Sequence, residues 1–91
     1  MSSSLFRQLA DLAAETRHQT ETEGKFILEK LTVVIGYGHL VDTHPQLMPI
    51  LEKHLRSFMN LTCSSGYAEL CRHSGTILQS IEDGRAVEDA A

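Results

Sequence analysis

The 91-residue sequence predicts an all-α protein, a small antiparallel bundle of four helices, or of three if the first two are continuous. Three observations lead there. Apolar residues recur at about 100° per residue through most of the chain, the period of a helix buried along one side. That period is interrupted near Gly24, between Gly36 and Pro49, and near Gly66, where glycine and proline act as punctuation. Only residues 31–35, LTVVI, have the β-branching of a strand. The chain offers no second such run to pair with it, and an isolated pair of strands is marginal in water.

Ser3 or Ser4 is the natural N-cap of the first helix. Leu5, Phe6, Leu9, Leu12, Ala13, Thr16 and Thr20 fall on one arc, with Arg7, Asp11, Ala14 and His18 outside. Residues 15–24, ETRHQTETEG, are polar and end in glycine. Thr20 and Glu23 have capping-box spacing, which starts a new helix there. The alternative is one long helix, with Thr16, Thr20 and Gly24 continuing the stripe.

Residues 25–35 read as a second helix facing inward through Ile27, Leu28, Leu31, Val34 and Ile35. Gly36 and Gly38 are expected to end it as C-cap glycines. Asp42 and Thr43 are turn and cap residues, and Pro45 and Pro49 sit where a helix can begin. The third helix then starts near Gln46 with Pro49 in its first turn. Leu47, Met48, Leu51, Leu55, Phe58, Met59 and Thr62 make its main stripe, widened by Ile50, His54 and Leu61. Residues 62–66, TCSSG, form a turn with a serine cap. The fourth helix carries the cleanest stripe, Tyr67, Leu70, Cys71, Ser74, Ile77, Leu78 and Ile81. Gly75 weakens it by roughly 1 kcal/mol, and Gly84 is expected to end it. The organisation is therefore a disordered N-terminus (1–3), a helical bundle (4–82) and an acidic disordered tail (83–91).

A chain of this length makes one domain and buries only roughly 60–65% of its unfolded surface, so its stability as a monomer is modest. Its 42% hydrophobic and 22% charged residues suit a folded domain rather than disorder. Residues 82–91 contribute −3 of the net −4, from Glu82, Asp83, Glu88 and Asp89 against Arg85. A near-neutral body with an acidic end lacks the basic stripe that phosphate-backbone binding requires, so no nucleic acid is expected. No apolar run approaches the roughly 20 residues that span a bilayer, so no membrane is expected either. The first residues, MSSSLFRQLADLAAE, hold no uninterrupted apolar core of a secretory leader. Cys63 and Cys71 lie eight apart, and on one helix about 12 Å would separate them, too far to bridge. They read as reduced thiols of a cytoplasmic protein.

Residues 35–45, IGYGHLVDTHP, are the stretch most like an active site. A metal there would use His39, Asp42 and His44, but zinc sites show closer repeated spacings and three or four protein ligands. No lysine follows the glycines, as a phosphate loop requires. The stretch reads as a helix corner, with no metal and no cofactor expected. Cys71 and His73 point about 200° apart on a helix and cannot chelate together. Cys71 reads as a buried small hydrophobe, and Cys63, near a helix start, as the better candidate for an exposed thiol. No nucleophile, base and orienting group can be assembled from spacing, so the protein is not expected to be an enzyme. His54, beside Lys53 and Arg56, is a phosphotransfer candidate that falls within the apolar half of its helix. His73, beside Arg72, reads as more exposed.

The leading functional expectation is a small cytoplasmic protein–protein interaction module, an adaptor, chaperone-like subunit or regulator. The alternative is a histidine phosphotransfer or metal-binding bundle. The expected partner-binding residues are Phe26, Val33 and Tyr37, a second apolar arc on a helix that needs only one buried stripe. A homodimer through these residues is expected, with the same surface serving another protein.

Overall fold

A computed structural model describes residues 2–20 and 24–90, with side chains described over 5–20 and 24–84. Glu23, the second half of the expected capping box, lies outside the described residues. The protein is all-α: helices α1 (Ser2–Gln19), α2 (Lys25–Leu40), α3 (Met48–Ser64) and α4 (Ala68–Ala90), with a 3₁₀ turn, Pro45–Leu47, leading into α3. The first two helices are separate, so the bundle has four members rather than three. Short connections make chain neighbours antiparallel. Each helix packs on two others, α1 on α2 and α4, and α3 on α2 and α4. The four form a closed square around a single core.

That core is the inner arc of each stripe. Leu9, Leu12 and Ala13 of α1, Ile27, Leu31 and Val34 of α2, Leu51, Leu55 and Phe58 of α3, and Leu70, Ile77 and Leu78 of α4 are all buried. Residues 31–35 are helical, with Leu31 and Val34 buried in the core and Ile35 half-buried, burial that no partner strand offers. Buried hydroxyls are satisfied within their own helices. Thr16, Thr20 and Ser74 donate to the carbonyls of Leu12, Thr16 and Leu70 at 2.7, 2.7 and 2.8 Å, the four-residue back-bond that lets Ser and Thr sit inside a bundle. Thr20 is thus committed to α1, and Gly24 occupies the N-cap of α2 without a side-chain cap.

Four local expectations are corrected. Gly36 and Gly38 do not end α2, which runs on to Leu40. Gly38 is buried, and a Cβ there would stand 2.6 Å from Leu9 Cδ1, so this glycine admits α1 rather than capping α2. Phe6 is exposed, and its ring lies 4.7 Å from that of His39. α4 continues through Gly84 to Ala90, because Gly84 keeps an ordinary φ and the helix continues through it; positive φ occurs only at Gly66 among the described residues.

The fourth correction concerns the cysteines, which are joined in a disulfide with Cα atoms 5.1 Å apart. The 12 Å separation would hold along one uninterrupted helix. Here the chain reverses at Gly66, whose φ of 88° belongs to the left-handed region that glycine occupies without a Cβ penalty. Tyr67 N–H donates to Thr62 O at 2.9 Å and Gly66 N–H to Cys63 O at 3.3 Å, the paired bonds of a Schellman motif. The reversal sets the last turn of α3 beside the first of α4. The reduced-thiol reading is therefore wrong, and the thiol-based argument for a cytoplasmic location goes with it. No helix among the described residues is long and apolar enough to cross a membrane.

Candidate functional site

The residues 35–45 make the corner that turns α2 into α3. Val41 N–H donates to Tyr37 O at 3.0 Å and His44 N–H to Leu40 O at 2.8 Å, which spends the backbone groups on the turn itself. His39, Asp42 and His44 are exposed, and His39 is occupied by the Phe6 ring. Among the described residues no three His, Cys, Asp or Glu side chains are gathered in a way that could hold a metal ion.

His73 and His54 have partners on other helices. Nδ1 of His73 donates to Glu15 Oε2 at 3.2 Å, between α4 and α1, so His73 is half-buried rather than open as the sequence suggests. His54 stacks on Tyr37 with ring centroids 5.1 Å apart and planes 12° from parallel. Its imidazole is held below the ordinary histidine pKa, first by burial and then by the positive charges of Lys30 and Lys53. Burial and like charge both disfavour the imidazolium, so the ring is biased toward the neutral form.

The second apolar arc of α2 divides. Tyr37 is half-buried against α3 through its stack on His54, whereas Phe26 is 73% exposed and Val33 38%. The structure adds Leu40, 44% exposed, which lies beyond the helix end expected at Gly36 and Gly38 and belongs to α2. Phe26, Val33 and Leu40 are spaced by seven residues. At about 100° per residue each step of seven drifts by only about 20°, so the three form one nearly straight line along α2. Ile50 of α3, 38% exposed, stands four residues before His54 on the same side of its helix. The surface is thus an apolar ridge of α2 with the flank of α3 beside it, joined where Tyr37 stacks on His54. Its seven-residue spacing is that of the apolar line in a coiled coil.

These features define the class of the protein: a small up-and-down four-helix bundle with an external seam on its second helix. No protein-family model matches the chain, and no curated protein or solved structure does.

Proposed function

We propose that the protein is a small protein–protein interaction module, of the adaptor or regulator kind, which acts by receiving an amphipathic helix along α2. One observation carries the reading: Phe26, 73% exposed, heads a line of apolar side chains that continues through Val33 and Leu40. Scattered apolar residues on a surface need no explanation, but a seam at heptad spacing has the pattern of a helix partner. Burying a side chain such as Phe26 contributes about 2 kcal/mol, enough for a few such anchors to hold a partner of moderate affinity.

Self-association is the second reading, because the same heptad line on two copies is self-complementary. The phosphotransfer alternative has less support, since His73 is engaged by Glu15 and His54 lies under Tyr37. No catalytic or nucleic-acid role enters this reading.

The test is a double variant, Phe26→Asp with Val33→Asp. Both positions are exposed, so the variant is expected to fold with the parent's helical circular dichroism. Cross-links placed on α2 of the parent should reach a partner protein that the variant fails to retain. If self-association dominates, light scattering gives twice 10.1 kDa for the parent and the monomer mass for the variant. A parent that is monomeric, with α2 cross-linking to nothing the variant loses, removes the proposal.

A further inference from the structure

The two borders of the α2 seam carry different charges. With Phe26 taken as zero and about 100° per residue, Val33 and Leu40 fall at about −20° and −40°, Tyr37 and Lys30 at about +20° and +40°, and Glu29 at about −60°. Positive angles face α3, because Tyr37 meets His54 there. On α3, Ile50 and Leu61 lie within about 40° of His54, and Lys53 about 100° away on the outward side. The α3 border of the seam therefore carries Lys30, Lys53 and His54. Glu52 is turned about 160° from His54, toward α4, so no carboxylate of the described part of α3 stands on this border. Both ammonium groups act on the His54 ring, so positive charge converges from two helices at mid-seam, beside the stacked Tyr37–His54 pair. A ridge that is apolar along its length and cationic along one border complements a helix whose apolar line is flanked by acids.

We propose that the occupant of the α2 seam is a helix of another protein, apolar at seven-residue intervals and acidic beside that line, with its carboxylates set against Lys30 and Lys53. This rests on the reading of α2 as a docking surface and adds the chemistry of what docks. A second copy fits less well. Two seams paired antiparallel about Val33 bring the two Lys30 side chains, each three residues from the symmetry axis, into one seam, and like charges in an interface oppose association. A nucleic acid would satisfy the lysines but leave Phe26, Val33 and Leu40 without apolar partners.

Two synthetic helical peptides test the proposal. Both repeat leucine every seven residues along one face; one carries glutamate beside that line and the other lysine. Titrated against the full chain by fluorescence anisotropy, the glutamate peptide should bind at least about ten-fold more tightly, and added salt should narrow the gap. The double variant Lys30→Glu, Lys53→Glu should reverse the preference, and Phe26→Asp should weaken both peptides. Circular dichroism melts show which variants are folded before they are titrated. Equal binding of the two peptides, still weakened by Phe26→Asp, overturns the acidic partner while leaving the docking seam in place. Binding of neither peptide overturns both. A dimer that Phe26→Asp dissociates overturns the proposal in favour of a second copy.

Discussion

Gly36 and Gly38 stand two residues apart on α2 with opposite consequences. Nothing lies within 4 Å of a Cβ added at Gly36, whereas one added at Gly38 meets Leu9 Cδ1 at 2.6 Å. Gly36→Ala should therefore stabilise the fold by about 0.5–1 kcal/mol, the helix-propensity difference. Gly38→Ala should instead destabilise it, since forcing a methyl into a packed contact costs about 1–3 kcal/mol and outweighs the propensity gain. Urea unfolding of the two variants measures both, and a stabilised Gly38→Ala would mean that Leu9 moves aside freely. His54 sets a second expectation at this scale. Its folded pKa lies below the ordinary 6.5 because of burial, Lys30 and Lys53. Above that value both folded and unfolded states hold it neutral and it adds no pH dependence. As the pH falls below it, the unfolded chain takes up the proton first, so stability declines. His54→Gln should flatten the decline between about pH 7 and pH 5 relative to the parent. Parallel pH profiles of parent and variant would contradict the shift. The sequence placed His54 at the core edge, but its stack on Tyr37 joins residues seventeen apart in the chain and has no local signal.

The α3–α4 hairpin is the element whose covalent state matters most. Its disulfide joins cysteines eight apart in sequence, for which the chain-entropy model gives a stabilisation of about 2–3 kcal/mol. A maleimide reagent should find no free thiol in the oxidised, denatured protein and two after reduction. Reduction should lower the melting temperature to that of the double variant Cys63→Ser, Cys71→Ser, which should itself ignore the reductant. Two thiols titrating before any reduction would dismiss the bridge. The stripes of α3 and α4 were legible in the sequence because their apolar residues keep one helical period, and a helix needs no distant information to present one face. The bridge was hidden for the converse reason. It depends on whether 63–71 is one helix or two, and a single glycine taking positive φ decides that. Likewise the end of α2 was misread, because a buried helical glycine and a C-cap glycine are the same letter.

At the scale of the whole molecule, Phe58 lies fully buried between α3 and its neighbours. Replacing a buried Phe by Ala costs about 3–5 kcal/mol, comparable to the lower end of the roughly 5–15 kcal/mol that holds a domain together. Phe58→Ala should therefore leave a largely unfolded or strongly destabilised chain, seen as loss of a cooperative thermal transition. A variant melting within a few degrees of the parent would show that the core is less dependent on α3 than its central place implies. The helical class and most of the inward face of each helix were determined by the sequence alone, since they follow from apolar periodicity, whereas the choice between three helices and four was left open until the structure separated α1 from α2. The sequence also marked Phe26 and Val33 as surplus. Only the tertiary structure decided that Tyr37 turns toward α3, that Leu40 extends the seam, that Lys30 and Lys53 converge on His54, and that Cys63 meets Cys71. Apart from the length of α2, each is a meeting of side chains from different helices, set by how the helices rotate and approach one another. Periodicity fixes the direction a face points, but not what stands opposite it.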